Sequence, residues 1–135
     1  MRQVVQVTRA AGDVSTAAAA RDAQAQTQIR YVTRTQIKET PTYVDAATDA
    51  AFGVPVGLVR VHDAAALGLD VSAVPDPAGR ADGDASSVAA SDLGRAIIAN
   101  YGECRADQAR LAELQDWLRK QVLVARTMDG AAGQD

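Results

Sequence analysis

The sequence has few of the residues that build metal sites, disulfide bonds and deep cores. Its 135 residues include one cysteine, one histidine, one tryptophan, three tyrosines and one phenylalanine. A single cysteine excludes an internal disulfide bond and a cysteine-rich zinc site. Large side chains supply most of the transfer free energy of a core, whereas alanine buries little area. Alanine-rich helices packed closely side by side therefore suit this composition better than a deep globular core.

The sequence also lacks a long apolar run. No stretch of about 18 consecutive apolar residues occurs, so no segment predicts a membrane-spanning helix. The first nine residues mix polar and apolar types and lack the continuous apolar core of a signal peptide. As written, the sequence predicts a soluble, cytoplasmic chain.

Charge is distributed unevenly along the chain. Residues 1–40 carry six basic and three acidic side chains, residues 41–92 carry two and eight, and residues 93–135 carry six of each. The basic residues of the first segment are spaced apart rather than clustered, so nucleic-acid binding is not predicted. A solvated helix face explains them better than an anionic membrane surface or an acidic partner.

Residues 1–30 predict an N-terminal, alanine-rich helix with a heptad seam. One set of positions spaced seven apart holds Val4, Ala11, Ala18, Ala25 and Val32, and the intermediate set holds Val7, Val14, Arg21 and Gln28. Most of these side chains are small and two are polar. The seam therefore predicts a coiled coil that is weak or depends on a partner.

Residues 31–69 predict an extended, short-strand segment followed by a short helix. β-Branched and aromatic residues dominate residues 31–44, and Pro41 is disfavoured inside a helix. A second short strand is predicted for Val56–Val61. The two strands can pair antiparallel, although a lone hairpin is only marginally stable.

The short helix is predicted from Val61 to about Leu69, with Gly68 at its end. Residues 70–87 are dense in proline, glycine and aspartate, and they predict a flexible acidic loop. The aspartates of this loop lack the ligand spacing and the closing glutamate of a calcium loop, so no metal site is predicted.

Residues 88–127 predict one long C-terminal helix, and residues 128–135 predict a disordered tail. Apolar residues recur every seven positions along this helix, and Leu93, Leu114 and Trp117 widen the apolar surface. Gln108 and Gln115 in the seam cost stability but can fix register and partner number. The predicted helix-pairing seam consists of Ile97, Tyr101, Cys104, Leu111, Leu114, Leu118 and Val122. The heptads leave open whether the helices pair within one chain or between chains.

His62 beside Asp63 is the one candidate for acid–base chemistry. Adjacent residues on a helix point in different directions and do not by themselves form an oriented dyad. A helix N-terminal cap by Asp63 explains the pair better. The sequence therefore predicts no enzyme, with no catalytic, cofactor-binding or metal-binding residues.

The order of several short segments resembles that of the phage Rz-like inner-membrane spanins. The matching segments are Tyr31–Thr35 with Thr40–Val44, Val54–Ala65, Val74–Gly79, and Asn100–Cys104 followed by Leu111–Trp117. The resemblance implies a host-lysis protein that extends through the periplasm as a helical oligomer. Such proteins bind a small outer-membrane lipoprotein and help to fuse the two membranes, and the resemblance brings no active-site residues with it.

The resemblance also implies an N-terminal transmembrane anchor, which this sequence does not show. Membrane attachment at the periplasmic face is therefore expected only through an anchor missing from this chain or through a partner. Two other functions remain open at the level of the sequence. One is a structural adaptor of a phage particle or assembly complex, and the other is a small cytoplasmic helical interaction protein.

Overall fold

A computed structural model of the chain describes residues 2–75 and 80–132, and it is mainly helical, as predicted. The elements are α1 (Arg2–Tyr43), α2 (Ala46–Ala51), β1 (Gly53–Pro55), α3 (Val56–Leu67), a 3-10 turn (Val71–Ala73), β2 (Ala85–Ala89) and α4 (Ala90–Ala132). These elements fall into two compact units. The two-helix unit comprises the described residues up to 33 and from 101, and the sheet unit comprises those between 34 and 100.

The two-helix unit consists of the first part of α1 and most of α4, which run antiparallel. The direction follows from the contacts, because residue numbers increase along α1 as they decrease along α4: Ala11 lies opposite Gln121, and Arg21 lies opposite Glu113. The buried apolar residues of this unit are the small side chains of Ala18 and Ala106. Small residues allow two helix backbones to approach closely, so this pairing buries little apolar area.

The sheet unit contains an antiparallel pair of strands, in which Gly53 pairs with Ala89 and Pro55 with Ala85. Helix α3 packs against both strands. The buried apolar residues are Val54, Val56, Ala64 and Val74. Because a two-stranded sheet is marginal by itself, its packing on α3 is what stabilises it.

Helix α3 begins earlier than the sequence predicts. The backbone N–H of Val56 donates to the Asp84 carbonyl and that of Gly57 to the Asp82 carbonyl, both at 2.8 Å. These bonds satisfy two donors that a helix N-terminus leaves unpaired. The predicted end at Gly68 is confirmed, because Gly68 caps the helix in the left-handed conformation with φ 66°.

The prediction of an extended segment over residues 31–44 is wrong, because α1 continues to Tyr43. Thr40 is buried, and its hydroxyl donates to the Gln36 carbonyl one turn earlier. Such bonds let threonine sit inside a helix despite its strand propensity. Pro41 lies in the last turn of α1, so the backbone hydrogen bond lost through its missing N–H is near the helix end.

Three further predictions from the sequence need correction. Val56–Val61 is the beginning of α3 rather than a strand, and β1 pairs with β2 rather than with residues 31–44. Residues 70–87 include the 3-10 turn and the start of β2, while residues 76–79 of the predicted loop lie outside the described residues. The predicted tail is helical as far as Ala132, since α4 extends to that residue, and residues 133–135 also lie outside the description.

Candidate helix-pairing surface

The seven predicted seam residues lie on an exposed face of α4, which we call the outer stripe. Cys104 is exposed, and the other six are between 41% and 66% accessible to solvent. The outer stripe consists of Ile97, Tyr101, Cys104, Leu111, Leu114, Leu118 and Val122. Contiguous exposed apolar residues of this kind mark interaction surfaces more often than isolated ones do.

The face of α4 that packs against α1 is a different one. Ala106 is buried and its carbonyl accepts a 3.0 Å hydrogen bond from the Gln26 amide, and Gly102 lies against Thr33. A helix turns by about 100° per residue, so Leu111 lies about 140° around the helix from Ala106. Leu111 therefore points away from α1, whereas Leu114 borders it, because Leu114 lines a groove with Ala18 and Asp22. The outer stripe runs along the exposed side of α4, and one edge of it lies next to α1.

The seam predicted on α1 lies mainly within the two-helix unit. Ala18 is buried and Val14 is half-buried, whereas Val4 is exposed. The polar interruption at Arg21 has a partner on α4, because its guanidinium contacts the carboxylates of Glu113 and Asp116, each at 3.1 Å. The pairing of α1 with α4 is thus built from small residues and ion pairs.

Further polar contacts join α1 and α4 between the ion pairs of Arg21 and the N-terminus of α1. The indole N–H of Trp117 donates to the Ser15 hydroxyl at 3.1 Å, and the Gln121 amide donates to the Ala11 carbonyl at 3.0 Å. Trp117, which the sequence predicts to widen the apolar surface of the C-terminal helix, thus bonds to α1 through its indole N–H. The hydrogen bond from Lys120 is the main cause that lowers the pKa of Asp116.

The sheet unit contains a contact that the sequence analysis missed, between Asp49 of α2 and Ser91 at the start of α4. The Asp49 carboxylate accepts hydrogen bonds from the Ser91 hydroxyl at 2.6 Å and from its backbone N–H at 2.8 Å. A carboxylate at a helix N-terminus satisfies an unpaired donor and complements the helix dipole. No local pattern predicts this cap, because 42 residues separate the two partners.

We expect Asp49→Asn to reduce stability at neutral pH and to flatten the loss of stability in acid. Hydrogen bonds from Ser91 are the main cause that lowers the pKa of Asp49, with a smaller contribution from the charge of Arg95, while the nearby Asp45 carboxylate opposes the shift. A carboxylate whose pKa is lower in the folded than in the unfolded chain stabilises the fold while it is ionised. For Asp49 this stabilisation is therefore lost as the pH falls below about 4.

Thermal unfolding measured between neutral pH and about pH 2 checks this expectation. The unfolding temperatures of the wild-type chain and of Asp49→Asn should converge at the acid end. Asp92→Asn is the control, because Asp92 is an exposed carboxylate in the first turn of α4, next to Ser91. Parallel curves for the wild-type chain and Asp49→Asn over the whole range would show that the cap does not titrate.

His62 and Asp63 lie in the middle of α3, so Asp63 is not the N-cap that the sequence predicted. The His62 Nδ1 lies 3.3 Å from an oxygen of Asp63, and the His62 Nε2 is buried without a hydrogen-bond partner among the described residues. No group of three or more potential metal ligands occurs within residues 2–75 and 80–132.

Comparison with known proteins finds no matching family model, no similar curated protein and no similar solved structure. Within the part of the chain that the structure describes, no helix combines the length and the apolarity that a membrane crossing requires.

Proposed function

We propose that the chain is a spanin-like host-lysis protein that acts mechanically, through association of its long helices. The observation that carries this proposal is the outer stripe, a heptad series of mostly large apolar residues on the exposed side of α4. The resemblance of residues 31–118 to the Rz-like spanins supplies the lysis role.

The outer stripe has the composition of a helix-pairing surface. Burying one leucine side chain contributes about 1.5–3 kcal/mol, and the stripe contains three leucines together with Ile97 and Val122. Gln108 and Gln115 occupy exposed positions of the same heptad series. Polar residues at such positions lower the stability of a coiled coil but restrict its register and its number of strands.

The interface between α1 and α4 supports the assignment of the stripe to a second chain. That interface uses a different part of the α4 surface, where Gln26 reaches the Ala106 carbonyl and Arg21 reaches Glu113, and only Leu114 of the stripe borders it. The chain can therefore associate through the stripe without opening its own two-helix unit. Its partners in the proposal are a second copy of the chain and a small outer-membrane lipoprotein, reached from the periplasmic face of the inner membrane.

A lysis assay tests the proposed function. The host lacks its own spanins, produces holin and endolysin, and carries the chain fused to an inner-membrane anchor, with the anchor alone as the control. We expect the fusion, but not the anchor, to restore lysis when the cognate lipoprotein gene is supplied.

A fusion that is present at the inner membrane but leaves lysis blocked would contradict the lysis role. If that fusion still self-associated, the function as an adaptor in a phage particle would take its place. The open reading frames beside the gene then separate the two, because an overlapping lipoprotein gene accompanies a spanin and capsid or tail genes accompany an adaptor.

A further inference from the structure

The sheet unit contains a cleft of about 300 Å³ between α3, β2 and the end of the 3-10 turn. Its apolar lining includes Val56 and Val74, which are buried, together with Val59 and Val88. This volume is at the lower end of the range for small-molecule sites, which combine an apolar lining with a few polar groups. The cleft belongs to the sheet unit, so the inference below does not depend on helix pairing.

Arg60 bridges the elements that form one wall of the cleft. Its guanidinium forms a 2.8 Å ion pair with Asp82 and donates to the backbone carbonyls of Val71 and Val74. Only 16% of the Arg60 side chain is accessible to solvent. Arg60 therefore connects α3 to the 3-10 turn, and its charge is already balanced by a carboxylate.

Two other charged groups line the cleft without a strong ionic partner in the described part of the chain. The Arg80 guanidinium donates one hydrogen bond to the Ala85 carbonyl and forms no ion pair with a described carboxylate. Among the described side chains, the hydrogen-bond and ion-pair partner of the Asp63 carboxylate is the His62 ring, at 3.3 Å. Among the described residues, the cleft thus presents one cation and one anion that no strong ionic partner occupies.

The Ser86 hydroxyl lies on the β2 side of the same cleft. The Ser86 Oγ accepts a hydrogen bond from the Val88 backbone N–H, which leaves its own O–H free to donate. Ser86 and Val88 share the half-buried face of β2, whereas the Ser87 side chain is on the exposed face. Guanidinium and hydroxyl donors together bind carboxylates well, and a carboxylate such as Asp63 binds an ammonium group.

We propose that this cleft binds a small zwitterion with an aliphatic side chain, of the α-amino-acid class. The ligand carboxylate pairs with Arg80 and the Ser86 hydroxyl, its ammonium group pairs with Asp63, and its side chain lies against the valines. Both unbalanced charges and the apolar lining are then used by one ligand.

Titration of the full-length chain with L-valine, followed by amide chemical shifts in NMR spectra, tests the proposal. Isovalerate lacks the ammonium group, isobutylamine lacks the carboxylate, and valyl-valine separates the two charges. We expect saturable shifts at Val59, Ser87 and Val88 with L-valine, and at least about tenfold weaker binding of isovalerate and isobutylamine, since each loses a charged hydrogen bond. Equal or tighter binding of valyl-valine would reassign the site to peptides.

Two variants assign the charges separately. Arg80→Gln should weaken L-valine binding by about tenfold without changing isobutylamine binding, and Asp63→Asn should do the reverse with isovalerate as the unaffected probe. Arg95→Gln is the control, since Arg95 pairs with Asp92 and does not line the cleft. Absence of saturable shifts with L-valine at millimolar concentration, or equal affinity for all three small probes, would overturn the proposal.

Discussion

Leu111→Asp is expected to abolish association between chains and lysis while leaving the two-helix unit folded. Leu111 is 55% accessible to solvent in the single chain, so its replacement removes little packing within that chain. On association, burial of the exposed half of this side chain contributes about 0.8–1.5 kcal/mol, which corresponds to a change in affinity of about four- to tenfold. An aspartate in that position also places an unpaired charge in an apolar interface, which costs more than the lost area alone.

The control for this prediction is Ala23→Asp, which introduces the same charge at an exposed position of α1. Sedimentation measures association, circular dichroism measures helix content, and the lysis assay measures function. Leu111→Asp should lose association and lysis with an unchanged helical spectrum, whereas Ala23→Asp should retain all three. Retention of both association and lysis by Leu111→Asp would exclude the outer stripe as the functional surface.

The sequence predicts the long helices well because their signal is periodic and extends over many turns. The heptad series of α4 identifies an apolar face from Ile97 to Val122, and the structure places that face at the surface. The heptads could not reveal which chain covers it, because apolar periodicity is the same for pairing within and between chains. The face that closes on α1 carries Gly102 and Ala106, whose small side chains give a much weaker signal.

The errors occur where contacts distant in sequence determine the local structure. Residues 31–44 have strand propensity, yet they continue α1 and bury Thr40. Val56 and Gly57 look like part of a strand, but backbone carbonyls from residues 82–84 cap them as the start of α3. Propensity is a weak prior in such segments, because tertiary hydrogen bonds and packing override it.

Gly102→Ala is expected to destabilise the chain, although alanine is the better helix former. A Cβ atom at position 102 would lie 2.6 Å from the Thr33 hydroxyl oxygen and 2.8 Å from its methyl group. Both atoms belong to a short, β-branched side chain on α1, which cannot move away without a change of rotamer. We expect this overpacking to cost about 1–3 kcal/mol, which exceeds the gain of about 1 kcal/mol in helix propensity.

Gly94→Ala is the matched control, because Gly94 lies within the same helix and its added Cβ would come no closer than 3.9 Å to Thr40. That variant should gain stability of about 0.5–1 kcal/mol, so thermal unfolding of the two alanine variants should shift in opposite directions. Stabilisation by Gly102→Ala would show that α1 and α4 are not in close contact at this position.

Thr33→Ala provides the rescue that separates a local clash from a general loss of stability. The Thr33 hydroxyl is buried without a hydrogen-bond partner among the described residues, so its removal alone should cost little. In the Gly102→Ala background the same change removes the two closest atoms and leaves only the Thr33 Cβ, 3.2 Å from the new methyl group. The double variant should recover most of the lost stability, because residues in direct contact give non-additive free energies of unfolding. If the double variant instead lost the sum of the stabilities lost by the two single variants, the clash with Thr33 would not be the cause of the destabilisation.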